Sequence, residues 1–178
     1  MSEVNQAFIT ECRSLLANDY LPKIEKCVEM LNDEQIWWRA NPSSNSIGNL
    51  LLHLSGNVGQ WIVVGLGGAA DMRDRDAEFA QHDTIPRDDL LNRLQQTLGE
   101  ADETLARFET DKLLEPFAIQ GLEVTALAAI LHVVEHFSMH TGQIILLTKL
   151  LTAADLHFYD FEGDTPLPRL SPLSSDPS

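Results

Sequence analysis

Histidines carry the chemistry this chain can do. Three of its six lie in the run His132-Val133-Val134-Glu135-His136-Phe137-Ser138-Met139-His140, one every four residues. In a helix, an i, i+4 pair shares one face and can chelate a single divalent ion. A fourth, His53, lies in a second apolar, helix-like stretch. Neighbouring helices could bring it to the same ion. Three neutral imidazoles with open coordination positions suit catalysis rather than structure.

His132 and His140 are eight residues apart, about 12 Å along a helix axis, so they cannot share an ion. His136 must pair with one of them. Advancing about 100° per residue puts His136 and His140 within or beside the face formed by Ala129, Val133, Ile144, Leu147 and Leu151. His132 falls toward Glu135 and Gln143 on the polar side. The pair is therefore His136/His140, with His132 at the rim of the site or an interface. His53 has Asn49, Gly56, Asn57 and Gln60 as helix neighbours and sits at the edge of its helix's core face.

Other motif readings fail. His132-Val133-Val134-Glu135-His136 fits the inverted zinc-protease pattern H-x-x-E-H. That class also needs a distant acidic ligand, and few acidic residues follow. A di-iron carboxylate bundle needs Glu-x-x-His pairs; Val133, Phe137 and Leu50 stand where those glutamates would be. There is no CxxC, no phosphate loop after a strand and no G-x-S-x-G.

The elements that must position the histidines are helices. Apolar residues recur at helical spacing over residues 3–31, with a kink or break expected at Leu21-Pro22. A second helix opens near Ser44–Ser46 and runs from 47 to about 66, ending at Gly65-Leu66-Gly67-Gly68. A third starts at Pro86 as N1 residue, and a fourth runs over about 125–151. Trp37 and Trp38 are read as a plug over the core. Residues 111–123 read as a connector, and no strand pattern is evident. The expected fold class is all-α: a four-helix bundle over residues 1–155 with an irregular tail over 156–178. The connection between helices two and three is long enough to cross over.

With 12 Lys+Arg against 27 Asp+Glu in 178 residues, the formal charge is −15. That excludes nucleic-acid backbones and anionic membranes as partners. Cys12 and Cys27, fifteen residues apart on one helix, are about 22 Å apart and cannot pair there. With no leader pattern at the N-terminus, reduced thiols in a cytoplasmic protein are expected.

Two stretches make the chain resemble a known group. Ser44-Asn45-Ser46-Ile47-Gly48-Asn49-Leu50-Leu51-Leu52-His53-Leu54-Ser55-Gly56-Asn57 is similar to the second-helix signature of the DinB/YfiT-like superfamily. His136-Phe137-Ser138-Met139-His140-Thr141-Gly142-Gln143-Ile144 is similar to its last-helix signature. Arg73-Asp74-Arg75-Asp76-Ala77-Glu78-Phe79 resembles a branch of unknown function. The resemblance implies a four-helix bundle with a crossover connection, often a homodimer. It implies a divalent metal (zinc, nickel or iron) on His53, His136 and His140. Some relatives are transferases or isomerases that use an external low-molecular-weight thiol.

The expected function is metal-dependent transfer of a thiol or water to a small electrophile; the alternative is a dimeric bundle that binds a metal or small ligand without turnover. Asn57 is placed to orient a ligand. Arg73 and Arg75 are placed to hold a substrate carboxylate at the pocket mouth. Glu135 is placed to accept a hydrogen bond from a histidine or to pair across a dimer seam.

Overall fold

The computed structural model describes residues 2–169. Helix α1 (Ser2–Ser14) passes into a π-helical segment, Leu15–Tyr20, and then into α2 (Leu21–Glu29). The expected break at Leu21-Pro22 is a change of helical pitch instead. Pro22 has no N–H and its ring crowds the carbonyl four residues back. The wider π turn accommodates it, and the Leu21 N–H bonds the carbonyl of Leu16, five residues back. A short helix α3 (Asp33–Ile36) follows, started by an Asn32/Gln35 capping box.

Helix α4 (Ile47–Val58) also opens on a capping box, Ser46 with Asn49, and continues as a π segment over Gly59–Val64. Trp37 packs over Gly48 and donates its indole N–H to Ile85, while Trp38 is 40% exposed. The plug is thus Trp37 alone.

Helix α5 (Arg75–Ala80) lies in the connection to α6 (Arg87–Ala106). Pro86 is the capping residue of α6 rather than its first helical residue, and its carbonyl accepts from Leu90. A 3-10 turn, Thr110–Leu114, leads into a hairpin of β1 (Pro116–Ile119) and β2 (Leu122–Thr125), paired antiparallel with Phe117 opposite Val124. Its two-residue turn, Gln120-Gly121, has φ of 54° and 75°, as tight hairpin turns require. These strands were not expected, and their shortness is the reason: four residues hold too little alternation to register as a pattern.

Helix α7 (Ala126–Thr152) is capped by Thr125 and closed by Ala153 in the left-handed region at φ 53°. A second hairpin, β3 (Tyr159–Glu162) with β4 (Thr165–Pro168), occupies part of the stretch expected to be irregular. Residues 170–178 lie outside the described residues.

The four long rods form the expected bundle. Helix α7 packs against α2 and α4, and α4 packs against α6 and α5. Tyr20 stacks on Phe137 and Cys27 lies beside Thr148, so the first rod and α7 run parallel. Arg13 pairs with Asp102 while Gln95 bonds Glu25, so the first rod and α6 run antiparallel. Thr97 lies over Gly59 and Thr104 over Gly67, so the α4 rod and α6 run parallel. Two parallel neighbours need a connection that returns along the bundle. Residues 65–86 are that crossover, and α5 rides on it. The core includes Ile24, Leu54, Leu94, Ile130 and Phe137, each fully buried. Among the described residues, no helix is long and apolar enough to cross a membrane.

Candidate metal centre

The crossover gives His53 its surroundings. Asn49, 0% exposed, anchors it: its side-chain N–H groups donate to the carbonyls of Glu78 and Gln81, while its oxygen accepts from Ser46 and Arg39. The strap so held lays α5 against the polar side of α4. His53 and Asn49 are thereby buried, and Asn57 is buried beside His132 of α7, although their helix neighbours alone would place them near solvent. Glu78 reaches back to accept from His53 Nδ1 at 2.9 Å. Arg73 clamps Glu78 with two bonds, Nε to Oε1 at 2.7 Å and Nη2 to Oε2 at 2.9 Å. It also donates to Gln60. Phe79 packs on the His53 ring, centroids 4.6 Å apart.

This arrangement needs Gly56. A Cβ there would overlap the Glu78 carboxylate and crowd the Arg73 guanidinium. Alanine is normally the better helix former by about 1 kcal/mol. Here Gly56→Ala is expected to destabilise by about 1–3 kcal/mol through overpacking, read as a lower urea midpoint. Unchanged or raised stability would show that Glu78 does not sit against α4.

From α7 come the other two imidazoles. His136 Nε2 lies 3.0 Å from His53 Nε2 and 3.2 Å from His140 Nε2. The three ligand atoms all fall within 4.8 Å of one another. His140 Nδ1 bonds the Gln143 carbonyl oxygen at 2.9 Å.

Those outer contacts decide the tautomers. His53 Nδ1 faces the Glu78 carboxylate at 2.9 Å and the Arg73 Nη2 at 3.2 Å. The nearer, charged acceptor sets the proton on Nδ1, while Arg73 spends its donors on Glu78 and Gln60, and the Gln143 oxygen does the same for His140. Each therefore aims a bare Nε2 lone pair at His136. His136 Nε2 has one position to offer and cannot satisfy both as a donor. A cation resolves the conflict. Nitrogens about 2.0–2.1 Å from a tetrahedral ion are about 3.3 Å apart, close to the two spacings seen. A carboxylate or carbonyl on the far nitrogen of a ligating histidine is the usual support of a metal site. The triad could hold a divalent ion.

Burial and the neighbouring imidazoles push the His136 pKa down to about 3. Burial also lowers His140, against the Gln143 bond, and His132, against Glu135. For Glu78 burial works upward, but the bonds from Arg73 and His53 outweigh it and hold the carboxyl below its ordinary value. A histidine depressed on folding takes up its proton in the unfolded chain first. Its contribution is complete above the unfolded value, near 6.5, and is lost as pH falls toward the folded value. The metal-free protein is thus expected to lose stability from about pH 6.5 down to about 3, by up to about 1.4 kcal/mol per pH unit per histidine. Urea titrations of metal-free protein at stepped pH check this. A flat profile across that range would refute the buried neutral cluster.

The remaining sequence-selected residues are placed as follows. His132 stacks on Trp61 at 4.2 Å and approaches Asn57 Nδ2 at 3.4 Å, outside the triad. Glu135 is exposed, so an H-x-x-E-H site does not form. Asn57 is 4% exposed and its Oδ1 has no partner. Arg73, expected to face a substrate carboxylate, has a side chain 5% exposed and committed to Glu78. Arg75 lies over the Phe79 ring at 5.1 Å and remains exposed. The sequence reading missed Glu78 and Phe79. The available signal was their place in the charged run 71–79, within reach of a helix whose polar side carries His53.

The family model described as "Protein of unknown function (DUF1572)" matches residues 3–160. The chain belongs to this family. Among curated proteins, none matches the chain. Its fold is DinB-like. A DinB-like protein from Bacillus subtilis aligns with a TM-score of 0.62 at 16% identity, covering 82% of this chain and 94% of that one. A DinB-like protein from Bacillus cereus aligns at 0.60 and 15%, covering 74% and 85%. A conserved protein from Enterococcus faecalis aligns at 0.64 and 12%, covering 86% and 98%. At these identities the likeness extends to the fold, with the crossover bundle built from this DUF1572 chain's own contacts.

Proposed function

We propose that this chain is a metal-dependent enzyme that transfers a thiol or water to a small electrophile, with a zinc, nickel or iron ion on His53, His136 and His140. The observation that carries the reading is the pair of Nε2 lone pairs, fixed by Glu78 and Gln143, that converge on His136. When bound, such an ion lowers the pKa of a thiol or water and makes a nucleophile available near neutral pH.

The rest falls to the chain's own groups. Glu78 holds the His53 ring in one tautomer and one orientation. Arg73 cancels the charge of Glu78, so the protein adds no net charge to the centre. That balance favours an anionic ligand such as the thiolate of a low-molecular-weight thiol over a neutral one. Phe79 covers His53 from the crossover side. The free Oδ1 of Asn57 is the acceptor that could orient a bound small molecule, and Arg75 is an exposed cation beside Phe79 on this wall. Buried, unpaired Cys12 and Cys27 fit a reducing, cytoplasmic setting and are too enclosed to supply the thiol. We take the working unit to be a homodimer, as the DinB/YfiT resemblance implies.

The test is turnover. Protein purified without a histidine tag and loaded with each metal in turn is offered an epoxide or an aryl halide, with a panel of cellular thiols or with water alone. Metal-dependent consumption of the electrophile supports the enzyme. One ion per chain with no turnover across the panel overturns it in favour of a binding protein.

A further inference from the structure

Helix α7 presents the triad on one side and a face of different character to solvent. Ten of its residues are exposed, from Ala128 to Leu150, and Glu135 and Lys149 are the charged ones among them. On α6 ten residues are also exposed, and five are charged: Asp88, Asp89, Arg93, Glu100 and Glu103. In the α7 face Leu131 is 49% exposed, Met139 55%, Leu146 58% and Leu150 65%. Large apolar groups gathered on one exposed helix face mark an interaction surface. Two copies of a chain at −15 repel, so a shared contact must lie where charge is sparse.

The pattern of this face also contains a symmetry. Glu135 and Lys149 each stand seven residues from Gly142, two helical turns in opposite directions. Nothing lies within 4 Å of a Cβ built at Gly142, and Ser138, one turn earlier, is small and exposed. Bare backbone there allows two helices to approach closely. A two-fold contact brings the same patch of each copy together, residue i on j and j on i. Antiparallel crossing at Gly142 sets Glu135 of one copy against Lys149 of the other, twice. It also sets Ser138 against Leu146 and Met139 against Ile145.

We infer that this chain dimerises through the exposed face of α7, about a two-fold axis at Gly142, with reciprocal Glu135–Lys149 pairs fixing the register. The inference rests on the homodimer part of the reading above and is independent of the metal.

The test uses the full chain. Sedimentation of the wild type over a concentration series is expected to show a dimer. Glu135→Lys and Lys149→Glu each place like charges together twice, and each is expected to raise the dissociation constant about tenfold. The double variant, which exchanges the charges, is expected to restore it. These residues are exposed, so folding is not at stake, and circular dichroism checks it. Gly142→Cys is expected to join two chains through a short bis-maleimide, while the wild type, with buried cysteines, does not. A dimer indifferent to the single charge reversals, or one whose Gly142→Cys form does not cross-link, overturns this face and leaves the homodimer standing. A monomer at every concentration overturns both.

Discussion

Replacing Arg73 with methionine is expected to cost about 3–5 kcal/mol of stability, the usual consequence of leaving a buried charge without its partner. The Glu78 side chain is 6% exposed and that of Arg73 5%. Removing the guanidinium leaves the carboxylate with His53 as its one remaining side-chain partner. Adding Glu78→Gln removes the stranded charge while keeping an acceptor for His53 Nδ1. The double variant is therefore expected to recover most of the loss. Urea denaturation of the two single variants and the double variant gives the coupling directly. Additive losses would mean that the two side chains do not form the isolated pair described here. The same cycle, followed by metal titration, reports the role of Glu78 beside the ligand. Outer partners of ligating histidines are commonly worth 10–100-fold in affinity.

The second large effect is on metal content. Wild-type protein prepared without a tag is expected to carry about one divalent ion per chain, and His136→Ala to lose it. Four-ligand sites contribute roughly 10–16 kcal/mol, so one ligand is worth about 3–4 kcal/mol, or roughly 10²–10³ in affinity. Elemental analysis after dialysis reads the difference. His132→Ala is the control, since His132 lies against Trp61 and Asn57, and it is expected to retain the ion. Equal loss in both variants would place His132 in the cluster. Metal-free wild type that refuses added zinc, nickel and iron would end the metal reading, leaving three imidazoles packed together for another reason.

Much of this centre was legible in the order of residues. The four-residue spacing and the face argument brought His136 and His140 together and left His132 aside, as their rings now stand. The length of residues 65–86 pointed to the crossover. What could not be read is what that crossover does. Asn49, Gly56 and Asn57 flank His53 and look like a solvent-facing side, because the groups that cover them come from far along the chain: Glu78 for Asn49 and Gly56, and His132 for Asn57. Glu78 was hidden for the same reason, as one more acid in a run of alternating charges. Arg73 was misread in its target, since a guanidinium signals a carboxylate partner but not whose. The hairpins escaped notice because four-residue strands next to long helices have no period of their own.

The topology also has a consequence for how the protein is made. His53, its carboxylate and the strap that joins them leave the ribosome together, while His136 follows Glu78 by 58 residues, taken as 136 minus 78. At roughly 5–20 residues per second that interval lasts about 3–12 s. During it the nascent chain carries one of the three imidazoles of the cluster, His53. The cluster closes only when the final helix docks, so an ion that needs all three imidazoles would be acquired late in biogenesis.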